Sequence, residues 1–170
     1  MGQHLAESPA SMPMGRTDKL LELIGILAFI FLIGMPLLYY NDLPEAIPRN
    51  YGFDGIPDGF GNKSVIWWAS CIGIAMYAAL FFLERLLRNP KKLRVKKDSS
   101  NFEGHRLIMI QWLQFIRLFI ICLFAYMIYI TINTAMGNTP GFNPFFIPVV
   151  IGIVLGSTIY FGYLAIKLSR

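Results

Sequence analysis

The stretch LLELIGILAFIFLIGMPLLYY, residues 20–40, decides the fold because its 21 residues carry a single charge, Glu22. At 1.5 Å of rise per residue, a helix of this length crosses the roughly 30 Å hydrocarbon core of a bilayer. Three further apolar stretches, at about 64–85, 107–133 and 145–167, have the same character. They lack the alternation of a barrel strand, so each is predicted to be a helix. The sequence predicts an all-α polytopic membrane protein with four transmembrane helices.

The composition excludes a water-soluble domain. Hydrophobic residues make up 55% of the chain and charged residues 15%, whereas soluble domains carry charge on roughly a quarter of their positions. Cys71 and Cys122 lie in the middle of spans without metal-ligand spacing, and we interpret them as small apolar residues. His4 and His105 stand apart from any paired nucleophile. We therefore expect no enzyme, with no catalytic residue, metal site or cofactor.

The basic residues predict the orientation. Twelve of the 15 lie before the first span, between the second and third spans, or after the fourth. Because cytoplasmic loops are enriched in Lys and Arg, both termini and the basic link 86–106 are predicted to be cytoplasmic. Residues 1–19 are then a flexible cytoplasmic tail. The loop 41–63 and the link 133–144 are expected to be extracytoplasmic.

Partners other than the lipid bilayer are only partly predictable. The basic link lacks the interleaved aromatic residues of a nucleic-acid site, so no nucleic acid is expected. Its main predicted role is in setting topology, with added attraction to anionic headgroups. Ala69 with Gly73, and Gly152 with Gly156, are spaced for close helix packing, a spacing that also allows a homo-oligomer.

The third span begins with polar residues at a three-residue spacing, Gln111, Gln114 and Arg117. An Arg at the centre of a lone transmembrane helix costs about 2.5–3.5 kcal/mol. Because the uninterrupted apolar run starts only at residue 118, we predict that Arg117 is interfacial and extends its guanidinium to the membrane surface. The alternative is an ion pair with Glu84 or Glu22 inside the bundle.

The loop NDLPEAIPRNYGFDGIPDGFGNK, residues 41–63, is rich in Pro and Gly, which fix and reverse the chain direction. We expect it to be an ordered cap on the helix ends. Asp58 precedes Gly59 in a turn-like setting, where its carboxylate could accept backbone N–H groups. Lys63 could pair with Asp58 or with lipid phosphate.

The order of residues in this loop forms a motif, which consists of Leu43, Pro44, Ile47, Pro48, Asn50, Gly55, Asp58, Gly61 and Lys63. In this motif the chain resembles a family of bacterial membrane proteins of mostly unknown function, of the domain of unknown function 1648 type. The family includes the immunity protein against the sporulation-delaying toxin. Asn50 stands where the family usually has His, and Asn neither titrates nor ligates a transition metal well.

The resemblance implies a location in the bacterial cytoplasmic membrane and a protein or peptide partner at the loop. The resulting hypothesis is that the protein is a membrane interaction, sensing or immunity-type module. The alternative is a small transporter or an accessory subunit of a membrane complex. No acidic residue lies at mid-membrane, where a coupling site of a transporter is expected.

Overall fold

The computed structural model describes residues 15–89 and 102–168. The elements in chain order are α1 (Arg16–Tyr39), β1 (Ala46–Tyr51), β2 (Pro57–Asn62), α2 (Val65–Arg88), α3 (Phe102–Ala135) and α4 (Phe146–Leu168). All four helices are long and apolar enough to cross a membrane. The four-span prediction is confirmed, and the chain is a multi-pass membrane protein.

Helices α1 and α3 begin earlier than hydropathy alone predicts. Residues 16–19, expected in a flexible tail, form the first turn of α1, where the backbone N–H of Gly15 donates to Asp18 Oδ2 at 3.0 Å. Hydropathy marks only the apolar part of a span, whereas capped polar turns can extend the helix beyond it. The rest of the predicted tail, 1–14, and most of the basic link, 90–101, lie outside the described residues.

Helix α3 is the centre of the bundle and packs against α1, α2 and α4. Gly73 of α2 allows a close approach, since a Cβ there would lie 2.9 Å from Phe124 Cγ of α3. Gly152 and Gly156 of α4 face open space instead. Of the four helices, α4 is the one without a buried residue.

Strands β1 and β2 form an antiparallel hairpin between α1 and α2. We call the end of the bundle that carries it the hairpin end and the opposite end the charged end. The hairpin is an addition to the predicted all-α fold. The apolar core lies beneath it and consists of Leu32, Leu43, Ile47, Ile66, Ile121, Ala125, Ile128 and Ile132.

Candidate functional site

The base of the hairpin is anchored in the apolar core. Leu43, just before β1, is 4% exposed and Ile47 is completely buried. In the strand register Ile47 faces Gly61. A Cβ at Gly61 would lie 3.3 Å from Arg49 Cδ, so a small residue there leaves room for the Arg49 side chain. These motif residues hold the hairpin on the bundle.

The tip of the hairpin is attached to the connection between α3 and α4. Gly55 has φ +81°, a conformation that favours glycine, and its carbonyl accepts a hydrogen bond from the N–H of Phe142 at 2.9 Å. A Cβ at Gly55 would collide with the Phe142 carbonyl oxygen. Close by, the Tyr51 hydroxyl donates to Thr131 Oγ1 of α3 at 3.2 Å, and burial raises the pKa of Tyr51. The hairpin is therefore fixed at its tip as well as its base.

Lys63 has a different partner from the predicted one. Its Nζ lies 3.0 Å from Glu45 Oε1 and 5.2 Å from the centre of the Tyr40 ring. The two strands bring residues 45 and 63 opposite each other, and the N–H of Lys63 donates to the Glu45 carbonyl. Asp58 lies within β2, away from Lys63. The turn role predicted for Asp58 belongs to Asp54, whose carboxylate accepts a hydrogen bond from the N–H of Ile56 at 3.0 Å.

Two irregularities interrupt the strand register, one on each strand. Pro48 pairs with Phe60 and Asn50 with Gly59, so Arg49 has no paired residue on β2. The register likewise skips Asp58 on β2. Such bulges turn side chains out of the regular sheet pattern and are common beside functional sites. Here they leave two opposite charges, Arg49 and Asp58, exposed on the hairpin.

Apolar side chains are also exposed on this hairpin. Phe53 in the turn is 91% exposed, and Phe60 on β2 is 64% exposed. Ile56, between them, is 54% exposed. The motif did not include these residues, although apolar residues recurring within a polar loop are a signal that could have identified them. Their side chains are exposed and do not anchor the hairpin to the bundle.

The predicted site residues thus separate into two groups. Leu43, Ile47, Pro48, Gly55, Gly61 and Lys63 hold the hairpin together or fix it to the bundle. Exposed positions without such a contact are Pro44 and Asp58. Asn50 is exposed too, and its side chain packs over Gly59, where a Cβ would lie 3.1 Å from Nδ2. Within the described ranges, no three His, Cys, Asp or Glu side chains are grouped as metal ligands.

A second polar feature is a buried cluster of side chains at the charged end. Arg88 of α2 donates to Glu84 Oε1 at 2.8 Å and to Asp18 Oδ2 of α1 at 3.0 Å. Gln114 of α3 donates to the same two carboxylates, at 3.2 and 3.1 Å. The cluster, which we call the charged cluster, consists of Asp18, Glu84, Arg88, Gln114 and Arg117.

Arg117 lies inside this cluster, contrary to its predicted interfacial position. Its side chain is 4% exposed, and Nη1 lies 2.9 Å from Glu84 Oε2. The guanidinium also lies 5.2 Å from the ring centres of Tyr77 and Phe81. Extension to the surface would remove one of the two cations that neutralise the buried carboxylates, and a buried charge needs a partner. The alternative pairing with Glu84 is the one observed, whereas Glu22 lies near Arg85.

A comparison with known proteins finds a family match for only one of these two features. Residues 27–74 match the Domain of unknown function (DUF1648). This match confirms the family resemblance predicted from the loop motif. The DUF1648 segment runs from α1 to α2 and contains the whole hairpin, but every member of the charged cluster lies outside it. Of the two features, only the hairpin is therefore part of the DUF1648 match.

A protein of Archaeoglobus fulgidus, described as uncharacterized, is 39% identical over 51 residues. The matched stretch covers 30% of this chain and 28% of that relative. No solved structure matches the chain significantly. The similarity thus extends over about 50 residues, and toxin immunity stays a prediction.

Proposed function

We propose that the hairpin is an extracytoplasmic recognition surface for a protein or peptide partner. The observation that carries this proposal is the exposure of Phe53 and Phe60 on a hairpin whose base and tip are both fixed to the bundle. Rigid aromatic side chains lose little conformational entropy on binding, and aromatic residues are enriched at the centres of protein interfaces. The proposed activity is binding, as in a sensing or immunity-type module.

The distribution of charge along the helices supports the extracytoplasmic position. The basic residues described at the helix ends opposite the hairpin are Arg16, Lys19, Arg85, Arg88, Arg106 and Lys167. Lys and Arg favour the cytoplasmic side of a membrane protein. The hairpin then faces the outside, where a partner from the medium or from another cell reaches it.

The hairpin's own charge favours a protein partner over immersion of the aromatic residues in lipid. Once Glu45 is paired with Lys63, the 41–63 segment retains Asp42, Asp54 and Asp58 against Arg49, a net charge of −2. Carboxylates beside the exposed rings oppose entry into an anionic headgroup layer. A partner with an apolar centre and basic flanks complements this surface.

The proposal is tested by placing a photoreactive phenylalanine analogue at position 53 or 60 and irradiating native membranes. Phe82 is the matched control, since it is 69% exposed on α2 toward the charged end. We expect one protein adduct of the same mass from positions 53 and 60 and none from position 82. Asp58→Lys should remove this adduct while leaving the melting temperature of the protein unchanged.

Two results would overturn the proposal. If positions 53 and 60 form only lipid adducts, the aromatic residues lie in the bilayer. If the protein adduct survives Asp58→Lys and also forms at position 82, the capture is unspecific.

A further inference from the structure

We propose that one phospholipid with an anionic headgroup binds where the hairpin tip meets α3 and α4. Part of one of its two acyl chains lies between the two helices, and its headgroup lies beneath the hairpin. The inference does not depend on the recognition function, although Phe53 of the recognition surface also borders the headgroup site.

The chain-binding part is a cavity of about 430 Å³, the lower cavity. Its walls are apolar and include Cys122, Leu123 and Tyr126 of α3 and Val149, Val150 and Ile153 of α4. From Phe146, the first residue of α4, to Ile153 the cavity extends along the helix for about 10 Å. Both walls belong to membrane spans, so the cavity lies at the depth of acyl chains. An apolar cavity at that depth is suited to hydrocarbon and not to water.

The headgroup part is a second cavity of about 480 Å³, the upper cavity, at the hairpin tip. Arg49, Asn50 and Tyr51 of β1 contribute to its lining, together with Met127 of α3 and Ile147 of α4. The two cavities share Asn143 and Phe146 as lining residues. A space lined partly by polar residues therefore adjoins an apolar one, which matches a molecule with a polar head and a single inserted chain.

The charge of the upper cavity favours an anionic headgroup. Arg49 is the one charged residue among those lining the two cavities. Among the described residues it has no ion-pair partner. The side-chain NH2 groups of Asn50 and Asn143 add donors suited to phosphate and ester oxygens, whereas Asn143 Oδ1 accepts from the N–H of Phe145 at 2.9 Å.

Native mass spectrometry of the full chain tests the site. The protein is released from bilayers containing equal amounts of dioleoyl phosphatidylglycerol and dioleoyl phosphatidylcholine. We expect one retained lipid, mainly phosphatidylglycerol. Val150→Phe, which fills the lower cavity, should reduce retention of both lipids. Ile151→Phe is the matched control, because Ile151 is 51% exposed and does not line the cavity.

Arg49→Gln should lower the retention of phosphatidylglycerol and leave that of phosphatidylcholine unchanged, so that their ratio falls about fivefold, the change expected from losing one basic contact with an anionic lipid. Equal retention in Val150→Phe and Ile151→Phe would overturn the chain site. An unchanged lipid ratio in Arg49→Gln would overturn the headgroup assignment.

The two native cysteines give a second measurement that needs no substitution in the cavity. Both cysteines are exposed, but Cys122 lines the lower cavity, whereas Cys71 lies on α2 and does not. Adding dioleoyl phosphatidylglycerol to delipidated protein should slow the reaction of Cys122 with a small membrane-permeant maleimide and leave the rate at Cys71 unchanged. Equal slowing at both cysteines would contradict the site.

Discussion

Glu84 and Arg117 illustrate at the residue scale how a membrane bundle accommodates charge. Both side chains are almost fully buried, and the charged cluster balances two carboxylates with two guanidinium groups. Replacing one member of a buried pair leaves its partner uncompensated, which costs more than the pair itself contributes. We therefore expect the cluster to favour one relative rotation of α1, α2 and α3.

Arg117→Lys should destabilise the protein by about 1.5–3 kcal/mol, the range for hydrogen bonds to charged groups. Lysine has a compact ammonium group and loses the planar contacts with Tyr77 and Phe81. Arg85→Lys is the control, because that side chain is 55% exposed and lies 3.9 Å from Glu22; it should change stability by less than about 0.5 kcal/mol. Thermal unfolding in detergent measures both, and equal shifts would refute a special role for the buried pair.

The sequence contained part of this information. Arg117 and Glu84 are charges in or at the ends of apolar stretches, and an ion pair with Glu84 or Glu22 was the alternative to the predicted interfacial Arg117. Their mutual pairing depends on how α2 and α3 are rotated about their axes, which hydropathy does not determine. The apolar run that begins after Arg117 suggested an interfacial position, but the Glu84 carboxylate of α2 holds the guanidinium inside.

At the scale of elements, the hairpin depends on its contacts with the helices. Its strands contain Pro48, Pro57, Gly59 and Gly61, residue types that are depleted in strands. An isolated two-stranded hairpin is marginally stable in water. The turn residues were enough to predict that the loop is ordered. They did not predict its strands, which form because Ile47 enters the core and Gly55 binds the α3–α4 connection.

Attachment of the hairpin to α3 should weaken at high pH. Burial raises the pKa of Tyr51 above its ordinary value of about 10. The protonated phenol therefore supports the folded state fully below about pH 10, and this support is lost as the pH rises through the higher folded-state pKa. The difference in melting temperature between the wild type and Tyr51→Phe should fall between about pH 9 and 12, whereas parallel pH profiles would argue against a buried phenol.

At the scale of the whole molecule, length and hydropathy were enough to predict four spans. They could not show that α3 is the central helix or that α4 packs at the periphery, because every span is apolar on most faces. Packing order depends on which residues interlock, as Gly73 does with Phe124.

The predicted orientation is open to a direct test with two fusion proteins. A reporter active in the cytoplasm, placed after residue 97, and one active outside, placed after Gly55, should both give signal because basic residues favour the cytoplasmic side. Exchanging the two reporters is the control and should abolish both signals. The reverse pattern would mean that the hairpin faces the cytoplasm.

The charged cluster also has a consequence for biosynthesis. The nascent chain delivers Asp18 first, then Glu84 with Arg88, so two inserted spans carry two carboxylates and one guanidinium from the cluster. The balancing Arg117 arrives only with the third span. We therefore expect α1, α2 and α3 to associate as one unit during insertion, because a chain truncated before α3 leaves one carboxylate of the cluster without a cation. Helix α4 contributes nothing to this balance and can join afterwards.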